Sequence, residues 1–185
     1  MMRIITGKAK GVRLKTLEGD NTRPTAERVK EAVFSMLQGD IEDREVLDLF
    51  SGSGQMGLEA VSRGAAHATM IDSSPLALKI IFENVEKTKL GEYCTVRKDD
   101  ALNFLRFSKE KKYDIVFLDP PYAAGLYRPA FDAMRKYGVL KSTSIIVCES
   151  DNEDIFEGDA DLAASYNVTK QARYGRTYIT ILSMR

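Results

Sequence analysis

Histidine, paired cysteine and long apolar runs are all scarce in this chain of 185 residues, and each shortage removes a class of protein. His67 is the single histidine, so a His/Cys zinc cluster cannot be assembled and a bound metal is not expected. Cys94 and Cys148 are far apart in sequence and neither belongs to a C-x-x-C pair; both are expected to be reduced, buried and structural. No apolar stretch approaches the roughly 18 residues that a membrane span requires. The first residues lack the basic, apolar and small-residue segments of a signal peptide, so a cytoplasmic chain is expected. Internal repeats and low-complexity tracts are missing as well. Net charge is zero, with 27 basic and 27 acidic residues, which taken alone argues against a polyanionic partner.

What is present describes an ordinary globular protein. Hydrophobic residues make up 44% and charged residues 29%, enough for a sizeable core in one main domain with a small appendage. The charge is unevenly spread. Residues 1–15 carry Arg3, Lys8, Lys10, Arg13 and Lys15 and no acid, whereas 151–161 carry six acids and no base. A neutral molecule with such a dipole can hold an anionic polymer at one end. A solvated charged arm is the plainer alternative. The arm reads as too short and too polar to bury much surface.

Along the chain, 3–6 and 12–14 are short strand-like runs joined by a basic turn between Gly7 and Gly11, a small hairpin. Residues 24–38 form an amphipathic helix, with Pro24 in its first turn and Ala26, Val29, Val33, Met36 and Leu37 on one face. From residue 45 strands and helices alternate. Strands are expected at 46–50, 67–71, 93–96, 113–118 and 144–148. Helices are expected at 58–63, from Ser74-Pro75 onward, at 101–107 and at 131–137. Two last strands, 166–174 and 177–183, meet at Gly175-Arg176 as a hairpin. Alternation implies an α/β fold, a mostly parallel seven-stranded sheet with helices on both faces and a closing antiparallel hairpin. That closing hairpin belongs to a Rossmann-like class I methyltransferase rather than a plain dinucleotide-binding fold. Residues 1–40 are then an N-terminal hairpin and helix extension, and 41–185 the main domain.

The loop after the first strand contains G-x-G-x-x-G at Gly52, Gly54 and Gly57. Alone it fits either a nucleotide site or a tightly packed strand-to-helix turn. Three acids point to a nucleoside. Asp48 lies four residues before Gly52, where a carboxylate suits the methionine ammonium of S-adenosylmethionine and would repel a pyrophosphate. Asp72 ends the second strand 20 residues after Gly52, the place of a ribose-binding acid. Asp100-Ala101 follows the third strand, where a carboxylate can receive an adenine amino group, with Asp99 competing for that role. Phe50, Ser53 and Ser73 complete the expected cofactor contacts, together with Asp119.

Asp119-Pro120-Pro121-Tyr122 closes the fourth strand, beside the glycine loop at the carboxyl edge of the sheet. An exocyclic base amine is a poor nucleophile because its lone pair is delocalised into the ring. The Asp119 carboxylate and the Pro120 carbonyl can accept its N–H groups, and two prolines hold both acceptors in place beforehand. Tyr122 can stack on the base. The alternative is a rigid turn with a buried tyrosine. No acid–base dyad is present.

At these residues the chain resembles the bacterial 16S ribosomal RNA guanine-N2 methyltransferases of the RsmD type, over its full length. The resemblance rests on Arg3-Ile4-Ile5 with Gly7 and Gly11 to Leu14, on Arg23-Pro24-Thr25 with Arg28, Glu31-Ala32 and Phe34, and on Asp48 to Gly57. Leu58-Glu59-Ala60, Ser62 to Ala65, Asp119 to Tyr122, Glu149 and Tyr174-Gly175 follow in family order. The tetrapeptide alone marks only amino-methyltransferases; the R-P-T helix with L-F-x-G-S-G and S-R-G-A is more specific. The chain departs where Lys8-Ala9-Lys10 replaces a turn aromatic, where Asp72 stands for a glutamate, and where Gln55-Met56 replaces a smaller pair. The resemblance implies S-adenosylmethionine as donor and S-adenosylhomocysteine as product. It implies as substrate a guanine of 16S rRNA, held in an assembling small subunit, with Asp119, Pro120 and Tyr122 at the reaction. Lys8, Lys10, Arg13, Arg23 and Arg28 would hold phosphates, the last two beside the pocket. A guanine amine inside a helix is out of reach, so the base has to be looped or flipped out.

Composition does not separate guanine N2 from adenine N6. A DNA adenine-N6 methyltransferase shares the tetrapeptide but usually has a larger recognition domain. An NAD-dependent oxidoreductase conflicts with Asp48, and an RNA-binding assembly factor without catalysis conflicts with an intact tetrapeptide.

Overall fold

The computed structural model describes residues 2–17, 24–108, 111–121 and 124–185. Its elements run α1 (Pro24–Met36), β1 (Glu45–Asp48), α2 (Gln55–Ser62), β2 (His67–Asp72), α3 (Pro75–Thr88) and β3 (Cys94–Lys98). They continue with α4 (Ala101–Phe107), β4 (Tyr113–Leu118), α5 (Tyr127–Tyr137), β5 (Leu140–Ser150), α6 (Ala160–Ala163), β6 (Tyr166–Tyr174) and β7 (Thr177–Met184). One seven-stranded sheet has the order β3-β2-β1-β4-β5-β7-β6. The first five strands are parallel and β7 is antiparallel to both β5 and β6, so the expected fold class holds.

β4 shows why this sheet is buried on both faces. All six of its residues are buried. Ile115 and Phe117 join the hydrophobic cluster that contains α1 and α2 residues, whereas Val116 and Leu118 join the cluster formed with α4 and α5. Period-two alternation thus feeds two cores. Chain order reverses direction between β1 and β4, which opens a crevice at their carboxyl ends.

Several boundaries differ from those expected on sequence grounds. β1 ends at Asp48 and leaves Leu49-Phe50 in the loop. β5 is 11 residues long, well beyond 144–148. α5 starts at Tyr127, because Pro129 in the first turn gives up an N–H that has no helical partner there. α6 is an addition to the expected elements: Asp159, from the acidic run, caps it by accepting the Leu162 N–H at 3.0 Å and also pairs with Arg128.

The N-terminal arm requires a larger correction. It is a hairpin held by one antiparallel bridge, Arg3 to Arg13. It is not a solvated appendage, since Met2, Ile4, Ala9 and Leu14 are buried in the same cluster as Val46, Leu58 and Ile115. The core therefore runs across residue 40. Polar anchors explain how so basic a segment docks. The buried Glu59 carboxylate accepts the backbone N–H groups of Ile5 and Thr6 at 2.8 and 3.1 Å. Ser62 Oγ donates to the Thr6 carbonyl and accepts from the Ala9 N–H. Gly7 crosses α2 so closely, with φ +88°, that a Cβ would lie 1.6 Å from the Ser62 carbonyl oxygen. Asn84 of α3 receives the Lys15 N–H and donates to the carbonyls of Lys15 and Ser53, tying the arm to the glycine loop.

Candidate active site

The crevice at the carboxyl ends of β1, β2 and β4 is a cleft of about 1010 Å³. One side is the glycine loop. Asp48 is 3% exposed, and its Oδ2 accepts the Gly57 N–H at 3.1 Å. Burial pushes this carboxyl up to about 7; the nearby Asp72 adds to the effect, while hydrogen bonds from Gly57 and Ser51 oppose it. A cation in the cleft would favour its charged form. Phe50, Gly52, Ser53 and Ser73 line the cleft with it. Gly54 does not. It is the N-cap of α2 at φ +75°, and an added Cβ would press on Met70 and Ile81 at 3.2 Å, so its place in the fold is the turn itself.

Asp72 lines the cleft and also secures the loop. Its Oδ2 accepts the Gly52 N–H at 2.9 Å and its Oδ1 the Ser74 N–H at 2.8 Å. Two lone pairs remain for a ligand, since a carboxylate offers about four. Asp99, Asp100 and Ala101 form the next stretch of wall. Asp100 Oδ1 caps α4 by accepting from Leu102 and Asn103, both at 3.0 Å, and Asp99 Oδ1 accepts from Asn103 Nδ2 at 2.7 Å.

Asp119, Pro120 and Pro121 line the cleft at the end of β4, so the tetrapeptide and the glycine loop face one space. Tyr122 lies outside the described residues, as does Arg23. Asp119 is exposed to the cleft, and its charge adds to the burial that pushes the neighbouring Cys148 thiol up. Glu149 of β5 adds another carboxylate to the wall, and its backbone carbonyl accepts the Tyr127 hydroxyl.

Sequence patterns did not point to the remaining wall. It comes from the arm (Met2, Leu17), α1 (Val29, Lys30, Val33) and the β6–β7 turn (Tyr174, Arg176). Lys30 is 1% exposed, donates from Nζ to the Arg3 carbonyl at 2.5 Å and pairs with Glu59 at 3.4 Å. Burial lowers the pKa of its ammonium, with Glu59 pulling the other way. Its position was a usable signal, because residue 30 lies one turn from 26 and 33 on the apolar face of α1.

Of the cations expected to hold phosphate, Lys8, Lys10, Arg13 and Arg28 are exposed and none lines the cleft. For Arg28 this corrects its placement beside the pocket; the α1 cation there is Lys30. Lys8 sits 4.2 Å above the Tyr93 ring.

A family profile described as conserved hypothetical protein 95 matches residues 2–183. Over 187 aligned residues, covering all of both chains, the sequence is 34% identical to a Bacillus subtilis protein named putative rRNA methyltransferase YlbH. It is 36% identical over 153 residues to the Escherichia coli ribosomal RNA small subunit methyltransferase D, covering 83% of this chain and 76% of that one. Among solved structures, the putative methyltransferase yhhF from Escherichia coli superposes with a TM-score of 0.85 at 30% identity, covering 100% of this chain and 98% of the other. A 13% identical putative methyltransferase, SMU.776, solved in complex with SAH, shares the fold with a TM-score of 0.72 over 86% of this chain and 49% of its own.

Proposed function

Because the chain belongs to the family of the ribosomal RNA small-subunit methyltransferase D proteins, we propose that it transfers a methyl group from S-adenosylmethionine to the exocyclic N2 of a guanine in small-subunit rRNA. The observation that carries the reading is the meeting of Asp48, Asp72 and Asp119-Pro120 in one cleft.

The residues present fit the cofactor. Asp48, buried and pushed up to about 7, gains most from a neighbouring cation such as the methionine ammonium. The free lone pairs of Asp72 suit ribose hydroxyls, and Asp100 Oδ2, left over from the cap, suits an adenine amino group. When bound, S-adenosylmethionine supplies an electrophilic methyl group. Asp119 and the Pro120 carbonyl accept the N–H groups of the guanine amine and favour its pyramidal form. These acceptors stand at the end of a fully buried strand, so they need little reorganisation. The proton of the methylated amine leaves to water.

Residues 41–185 carry this chemistry, and residues 1–40 contribute to holding the RNA. Lys8, Lys10, Arg13, Arg23 and Arg28 are proposed to meet phosphates of the looped-out segment, with an assembling small subunit as the natural substrate. Mass mapping of small-subunit rRNA from cells with and without the gene tests the proposal. One N2-methylguanine should vanish in the deletion and return on complementation. Loss of an N6-methyladenine instead would move the reading to the adenine enzymes, and an unchanged map would end it.

A further inference from the structure

We propose that the β6–β7 turn is a binding site for a phosphate of the target nucleotide, with Arg176 as its ligand and Tyr174 as the neighbouring wall. The inference rests on the methyltransferase reading and specifies how the RNA is held at the same cleft.

Charge around the cleft motivates it. Among the described residues the lining includes six carboxylates, Asp48, Asp72, Asp99, Asp100, Asp119 and Glu149, and only two cations, Lys30 and Arg176. Such a wall suits a cationic cofactor but repels a polyanion. A nucleotide that inserts its base here brings its own phosphate to the rim, so one local cation has to offset the repulsion. Lys30 is ruled out, since it is 1% exposed and already engaged by Glu59 and the Arg3 carbonyl. The arm cations do not line the cleft.

Arg176 meets the requirement. It is exposed, lines the cleft and makes no ion pair among the described residues. Its backbone is well fixed. Gly175 takes φ +65° in a tight turn, and Tyr174 pairs with Thr177 at the end of the hairpin register. The flanking cation of the turn is otherwise occupied: Arg173 stacks 5.2 Å from the Tyr178 ring and donates from Nε to the Gly175 carbonyl at 2.9 Å. This hydrogen bond also braces the turn. An arginine fork on a braced turn suits a phosphate, which it can hold through two N–H groups. Tyr174, half-buried against the core, offers a ring edge beside it.

The test uses the full-length protein with S-adenosylmethionine and unmethylated small subunits isolated from cells that lack the gene. Arg176→Gln should raise KM for these subunits about tenfold, the size of one charge-assisted hydrogen bond, with the loss in kcat/KM carried by KM. The dependence of log Kd on log salt should flatten by about 0.7–0.9, the value of one neutralised phosphate. Arg176→Lys should recover the salt slope and only part of the affinity, because it restores the charge without the fork. Calorimetric affinity for S-adenosylhomocysteine should stay at the wild-type value. An unchanged KM and salt slope for Arg176→Gln on an active wild type would overturn this site and leave the function standing. A fall in kcat together with Tm would show the turn to be structural and overturn it too. If wild type neither binds nor methylates these subunits, the functional reading itself fails, and the site with it.

Discussion

Asp119 and Asp48 are both carboxylates in one cleft, yet their surroundings give them opposite work. Asp119 is exposed to the cleft, where it can meet a substrate amine. Asp119→Ala should leave S-adenosylhomocysteine binding nearly intact and slow methyl transfer by a factor of about 100–1,000, the usual loss for one preorganised group. Single-turnover kinetics would show it, and a wild-type rate would reduce the tetrapeptide to a turn. Asp48 is buried, and its folded pKa is raised to about 7 from the ordinary 3.8. The folded state therefore binds more protons than the unfolded state between those values, and stability of the ligand-free protein falls as pH rises through that window. Asp48→Asn should remove this slope and raise Tm at neutral pH while weakening cofactor binding sharply. Affinity for S-adenosylhomocysteine should itself rise as pH passes through about 7, because the carboxylate form meets the ammonium. Calorimetry at several pH values checks both signs.

At the scale of the element, the N-terminal arm is the informative case. Its docking depends on a buried acid as well as on its own apolar residues. Glu59 is 0% exposed and gathers four donors: the N–H groups of Ile5 and Thr6, Arg63 Nε at 2.8 Å and Lys30 Nζ at 3.4 Å. Glu59→Ala strands a buried ammonium and two amides, and should cost about 3–5 kcal/mol in denaturant unfolding. Gly7→Ala should free the arm by steric clash with Ser62, seen as early proteolysis within residues 2–17. Lys10 and Arg13 are different, since they are exposed and make no ion pair among the described residues. Replacing both with Ala should keep Tm and flatten the salt slope of RNA binding by about 0.7–0.9 for each phosphate no longer neutralised. A lower Tm with an unchanged slope would make the arm purely structural.

For the whole molecule, two hydrophobic clusters clasp one sheet, and the cleft opens where strand order reverses. The opposite end of the sheet is tied by Asp114, whose carboxylate meets Lys141 at 2.7 Å, Arg44 at 3.5 Å and the Glu45 N–H at 2.9 Å. Burial opposes ionisation there, but these partners prevail and lower its pKa, so this contribution is present above the ordinary carboxylate range and is lost in acid. The glycine loop joins β1 to α2 and is tied to β2 by Asp72, hence ligand binding at this loop should stabilise the whole fold. S-adenosylhomocysteine at 100 times its Kd should add about 2.7 kcal/mol and raise Tm by roughly 5–10 °C. NAD at the same concentration should leave Tm unchanged; a shift with NAD would contradict the role given to Asp48.

Sequence alone determined what local rules control. Period-two and period-3.6 patterns placed α4 (Ala101–Phe107) and β4 (Tyr113–Leu118) to the residue, and glycine and acid spacing marked Asp48, Asp72 and Asp119 as cleft residues. Motif residues are legible because chemistry and backbone geometry restrict them at short range. Tertiary structure alone decided the role of the arm, the partners that allow Lys30 to be buried and the far wall of the cleft. Those depend on pairings between residues far apart in sequence: 27 for Lys30 with Arg3, 53 for Thr6 with Glu59 and 69 for Lys15 with Asn84. A lysine on a basic hairpin or an amphipathic helix reads as solvent-facing until a buried carboxylate from another element stands opposite it. Arg176 likewise looked like a turn residue, and it joins the site only because antiparallel β7 returns beside β5 and carries the turn to the cleft.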